Sequence, residues 1–330
     1  MLTHRMASPI AQTILLGIMV FDYACVALCS PQALGGDVRS DPEDATRISP
    51  APQLYTGQQQ NNSFPACSST NAQNELIGDI HGQSPIVGSW LVEEAYYPKQ
   101  LAYILEFLLE EFSRLLGQNI MFNEFCIVYN DPQAECPMLI RNHFPIRIRL
   151  AQNVFFEPQT VFQLSHEMCH YAFRQYKENK DFTLSWFEEI VCEAVSLYAL
   201  EYVARNGQNC PLSKEKPSFS KESGDYLYYE LGREGSDGLK QCDSVVKLAE
   251  YEAQKVAENH RETHRNERHA LYRAISANPE ALGCVLDYTK YLENNGVVVD
   301  FDRWIQDNPC DLLNSLRQIQ PVKQEPSNSN

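Results

Sequence analysis

Past residue 30 the chain has no run approaching the roughly 18 consecutive apolar residues that a membrane-spanning helix needs. Basic side chains are also scarce, with 27 Lys and Arg against 43 Asp and Glu, for a formal net charge of −16. That balance argues against nucleic acid as the main partner and against docking on anionic lipid, because both need a net basic face. Cysteine is too thin, at 11 of 330 residues, for a small disulfide-stapled scaffold. No Cys-x-x-Cys pair offers a zinc ribbon, and no internal repeat is present. What is there is 44% hydrophobic and 11% aromatic, enough core material for one large or two small domains.

The N-terminus has its own logic. A short basic start with His4 and Arg5 precedes the apolar run Ile14 to Phe21, the length of a signal-peptide core. Gln12 and Asp22 disfavour a spanning helix over Ile10 to Cys29, since a charge at bilayer depth costs roughly 3 kcal/mol. Two readings stand: residues 1–30 are an export signal, giving a secreted or periplasmic protein, or a non-signal segment of a cytoplasmic one. Residues 31–75 are rich in Ser, Pro, Gln, Asn and Asp and lack periodicity, so they are expected to be a disordered linker or pro-segment. They hold a glycosylation sequon at Asn61 and a cysteine, Cys67, that could cap a metal in a latent form. The last ten residues, 321–330, read as a disordered tail.

A folded domain is expected over 76–320. Pro98 precedes Leu101, Ile104, Leu105, Leu108, Phe112 and Leu115, a three/four spacing that predicts an amphipathic helix stopped by Gly117. Ile120 to Tyr129 reads as a strand, and Pro145 to Leu150 alternates strictly, with Ile146, Ile148 and Leu150 on one face and Arg147 and Arg149 on the other. Two helices follow, over about 159–178 and 185–203, and from Cys242 to Leu316 the pattern is almost wholly helical. The fold class is therefore α+β, with a small sheet, two central helices and a mainly helical C-terminal half.

The first central helix contains His166-Glu167-Met168-Cys169-His170. Four residues advance about 6 Å and turn about 40°, so His166 and His170 leave one face a turn apart, as two imidazole ligands of one Zn²⁺ must. Glu167 stands beside them as a non-ligating general base for water. The uncharged neighbours Met168, Cys169, Tyr171 and Ala172 suit a buried helix, and Cys169 reads as core rather than nucleophile. The second helix, Ser185 to Glu193, carries three acids. Ser185 and Glu188 fit a capping box; Glu189 is read as the third ligand and Glu193 as the acceptor that orients a histidine ring. A charged stripe on a solvated helix remains the alternative. His260, His264 and His269 fall in a run dense in Arg and Glu, expected to be a solvated helix. Tyr226, Tyr228, Tyr229 and Arg233 read as packing rather than as oxyanion donors.

His-Glu-x-x-His followed by Glu-Glu-x-x-Cys-Glu, whose second Glu lies nineteen residues after the second histidine, resembles the gluzincin metallopeptidases, whose thermolysin-like pattern reads Asn-Glu-x-x-Ser-Asp. The resemblance covers about residues 98–203. It implies a zincin-like fold, zinc held by His166, His170 and Glu189, Glu167 as base, and Glu193 in the place of the family's Asp. It also implies that the alternating strand 145–150 is the edge strand along which extended peptide binds. The chain departs from the pattern at Glu188, Cys192 and Glu193, and offers no match for the transition-state stabiliser the family supplies from a later helix. The resulting expectation is a zinc-dependent peptidase acting on a peptide or protein. Its rivals are a zinc hydrolase of non-peptide substrates, an inactive zincin-like binding module and a metal-free interaction protein.

Overall fold

The computed structural model describes residues 85–322, apart from 94–96, 118–121, 123, 142, 153, 181, 234, 236–237, 258–263 and 294–295. All of them belong to the unit Glu75–Asn330. The signal reading, the polar segment with Asn61 and Cys67, His260, and the tail from residue 323 on lie outside the described residues. No helix among the described residues is long and apolar enough to cross a membrane.

Five strands form one mixed sheet in the order β1-β2-β3-β5-β4, comprising β1 (Ile86–Val87), β2 (Trp90–Glu93), β3 (Cys126–Asn130), β4 (Met138–Ile140) and β5 (Ile146–Leu150). β2, β3 and β5 run parallel, while β1 and β4 close the two sides antiparallel. The expected α+β class is what the chain adopts. Two details differ from expectation. The strand read over Ile120 to Tyr129 begins, among its described residues, only at Cys126. The alternating strand β5 is not an edge, since it lies between β3 and β4, and the edge on that side is β4. Alternation reports one buried face, with Ile146, Ile148 and Leu150 at 1% exposure or less, but says nothing of neighbours within the sheet. Arg147, on the other face, stacks over Tyr129 and reaches Glu93 at 3.8 Å.

α1 (Pro98–Leu116) forms where the periodicity places it. Every apolar residue of its stripe is buried, Pro98 sits in its first turn and Gly117 ends it at φ 86°, a conformation open to glycine. α2 (Glu157–Tyr176) packs on β4 and β5, and α3 (Ser185–Asn206) packs on α2. A side-chain amide fixes α2 against the sheet: Ala151 N donates to Gln163 Oε1 at 3.0 Å, and Gln163 Nε2 donates to Ala151 O at 2.8 Å.

α3 is buried nearly all round, which is why its sequence shows no single apolar face. It is wrapped by α2 and by later helices: after α4 (Leu212–Glu215) come α5 (Phe219–Gly232), α6 (Val245–Ala257) and α7 (Arg265–Ala277). Of these, α5, α6 and α7 touch α3 directly. Short 3₁₀ turns at Pro279–Val285 and Tyr288–Tyr291 lead to α8 (Phe301–Asp307) and α9 (Asp311–Ile319). The charged run around α7 is not a solvated helix: His264, Glu267, Arg268 and His269 are buried, because α7 packs on α3 and brings its charges to partners there.

Candidate metal centre

α2 places His166 and His170 one turn apart, and both are buried. Their Nε2 atoms approach to 3.2 Å. α3 crosses beneath them and presents Glu189, one oxygen to each ring: Oε2 lies 3.2 Å from His166 Nε2 and Oε1 lies 3.2 Å from His170 Nε2. One donor atom from each residue can be chosen so that all three lie within 4.8 Å of one another. The three residues read from the sequence as ligands are thus brought together, and the group could hold a metal ion. The Glu189 side chain keeps 30% exposure, against 2% and 7% for the histidines, so the cluster opens to solvent on the Glu189 side. Glu167 is buried beside His170 and close enough to feel its charge.

Glu188 has a different role from the expected helix cap. α3 is preceded by Leu184, with no side-chain cap, and Glu188 is fully buried. Its Oε2 lies 3.3 Å from His170 Nδ1 and accepts from Arg141 at 3.3 Å; its Oε1 accepts from Lys177 Nζ at 2.6 Å and from Tyr288 Oη at 2.6 Å. Arg141 and Lys177 also donate to Thr183. A carboxylate this far from water is held ionised by cations, which is why it turns inward rather than back to its own helix end. The α3 terminus is served from elsewhere: Glu252 of α6 accepts from Ser185 N at 2.7 Å and Trp186 N at 2.8 Å.

The sequence reading has Glu193 orient a histidine ring. The contact to the His170 ring is made by Glu188, while Glu193 Oε2 accepts from Arg268 at 3.1 Å and faces His264 Nε2 at 3.3 Å. Arg268 bridges on to Glu230 at 2.9 Å. A guanidinium makes strong charge-assisted hydrogen bonds to a buried carboxylate, and this one arrives from α7. Glu193 Oε1 and His166 Nδ1 are both buried without a hydrogen-bond partner.

Burial works against a charged His170, but the Glu189 charge and hydrogen bonds to Glu188 and Glu189 outweigh it and raise its pKa to about 10. Burial likewise opposes ionisation of Glu188, yet hydrogen bonding to His170 and the charge of Lys177 hold its carboxyl down at about 2. Burial also works against an ionised Glu193, and the charges of His264 and Arg268 keep its carboxyl well below the usual range.

Among the described residues, none of the others singled out in the sequence joins the metal-binding group. Cys169 is core, as expected. Tyr226 packs edge-on against Phe156 and Phe162, and Tyr228 is 81% exposed. Arg141, Lys177, Tyr288, Glu252, Arg268 and Glu230 were not legible as site residues. They reach it across 11 to 100 positions of sequence, and no local pattern signals that. The chain matches no known family, no characterised protein and no solved structure.

Proposed function

We propose that this protein is a zinc-dependent peptidase with a gluzincin-type site on a zincin-like fold. One observation carries the reading. Four donors placed tetrahedrally about 2.05 Å from a zinc ion stand about 3.3 Å apart. The two imidazole Nε2 atoms stand 3.2 Å apart, the length of one such edge, each faces a different oxygen of Glu189 at 3.2 Å, and one donor from each residue lies within 4.8 Å of the other two. Two imidazoles and one carboxylate are the donor set of a hydrolytic zinc site that keeps a position open, and the exposed side of Glu189 leaves room for it. A zinc ion held by His166, His170 and Glu189 would supply Lewis acidity toward a carbonyl and acidify water.

The chain's own residues do the rest. Glu167 accepts the proton of the attacking water and returns it to the leaving amine. Glu188, anchored by Lys177, accepts from His170 Nδ1, which leaves Nε2 as the ligating lone pair. Glu193 Oε1 and His166 Nδ1, both lacking partners, are the atoms that would pair to orient the second ring. An extended peptide would add to the sheet at β4, the edge strand that packs on α2, rather than at β5.

The test is metal analysis of the purified full chain coupled to a peptide-library cleavage screen, with Glu167→Gln as control. The expected result is one zinc per chain and cleavage that the substitution abolishes. One bound zinc with no cleavage in a broad library would overturn the peptidase reading in favour of a binding module or a non-peptide hydrolase.

A further inference from the structure

The fold holds two pairs of cysteines, and they differ in what can reach them. Cys169 on α2 and Cys192 on α3 are in contact but fully buried between the helices that carry the metal cluster. Cys284 and Cys310 line one surface cleft where the turn Pro279–Val285 packs on α9, and there Cys284 is exposed and Cys310 half-buried. Cys284 lies on the 3₁₀ turn Pro279–Val285, and Cys310 immediately precedes α9. The cleft is open, about 390 Å³ in volume, and remote from the metal cluster in its lining.

We propose that Cys284 and Cys310 form a reversible dithiol–disulfide site that reacts with small disulfides. The geometry assigns unequal roles. Cys310 is the attacking thiol, because it stands at the start of a nine-residue helix, where the N–H groups of Leu312 and Leu313 favour a thiolate. Cys284 is the resolving thiol, positioned to donate its proton toward the Cys310 sulfur. That donation, more than burial opposes it, lowers the Cys310 thiol to about 6. The cleft lining also carries Glu280 and Asp311, so a cationic disulfide is the matched reagent.

The chemistry balances as ordinary exchange. The Cys310 thiolate attacks one sulfur of the small disulfide, whose S–S bond breaks and whose other half leaves as a thiol after protonation. Cys284, losing its proton to solvent, then attacks the Cys310 sulfur and expels the second thiol. The protein dithiol is oxidised by two electrons and the reagent is reduced to two thiols. The product ties the turn Pro279–Val285 covalently to the N-terminus of α9.

Treatment of the full native chain with cystamine, followed by alkylation and peptide mapping, tests this. The expected map joins the Cys284 and Cys310 peptides while Cys169 and Cys192 remain alkylatable after unfolding. Cys284→Ser keeps a hydrogen-bond donor but removes the resolving sulfur, so a stable cysteamine adduct should accumulate on Cys310. At pH 6 that adduct should form about tenfold faster than the adduct on Cys284 in Cys310→Ser, from the larger thiolate fraction less its lower nucleophilicity. Both peptides recovered reduced from wild type, equal rates in the two variants, or oxidation of Cys169 and Cys192 alongside would each overturn the proposal.

Discussion

His170 Nδ1 lies 3.3 Å from Glu188 Oε2, and the other oxygen of that carboxylate lies 2.6 Å from the buried ammonium of Lys177. A histidine that faces the cluster with one nitrogen is thus tied by its other nitrogen to an internal ion pair. Removing the charge of Glu188 leaves Lys177 buried and unpaired. Glu188→Gln should therefore cost on the order of 3–5 kcal/mol of stability, read as a lower denaturation midpoint. Zinc affinity should also fall about 10–100-fold. A variant with parental stability would show that the pair is not what holds the ends of α2 and α3 together.

The ligand set makes a sharper statement. Substituting His166, His170 or Glu189 by Ala should remove bound zinc, whereas Glu193→Ala should leave a weakened site that still fills at saturating metal. Elemental analysis after gel filtration separates these cases. Full zinc in Glu189→Ala, with loss in Glu188→Ala or Glu193→Ala, would move the third ligand to another acid of α3.

Glu167 separates catalysis from metal retention. Glu167→Gln should hold its zinc and its melting temperature while turnover falls on the order of 10²-fold or more. Parental turnover in this variant would remove Glu167 from the role of base.

The metal-free protein should show a distinctive dependence on pH. His170 is raised to about 10 in the fold, above the value of about 6.5 for an unfolded histidine. Its contribution to stability is therefore complete below about pH 6.5 and lost as pH rises through about 10. Glu188, held down at about 2 against an ordinary 4.5, contributes fully above its ordinary value and loses that contribution as pH falls toward 2. Zinc binding runs opposite to the His170 contribution, because a ligating imidazole must be neutral. Denaturation midpoints of metal-free wild type and His170→Gln should converge from about pH 6.5 to 10, while zinc affinity rises at least to neutral pH. A constant gap between the two midpoints would show that His170 is not protonated in the metal-free fold.

Glu252 offers a check on the fold that leaves the cluster untouched. It accepts from two backbone N–H groups in the first turn of α3, so Glu252→Ala should cost about 1–2 kcal/mol, the usual value of a helix cap. No loss of stability would mean that water serves those donors equally well.

The sequence by itself determined the elements whose causes are local. A 3.6-residue period with Pro98 before it and Gly117 after it is enough to make α1, and period two is enough to make β5. Four-residue spacing puts His166 and His170 on one face of any helix that forms there, and helix geometry likewise places Glu189 near the start of the next. Tertiary structure decided everything that depends on which remote charge arrives first. The first three acids of α3 are nearly equivalent in sequence, but α2 delivers His166 and His170 to Glu189, Lys177 and Tyr288 claim Glu188, and Arg268 claims Glu193. The edge strand is β4 rather than β5 for the same kind of reason, because the neighbours of a strand are a property of the sheet and not of its own residues. Local pattern encodes which face is buried, and long-range electrostatics and strand order then settle which partner each buried group meets.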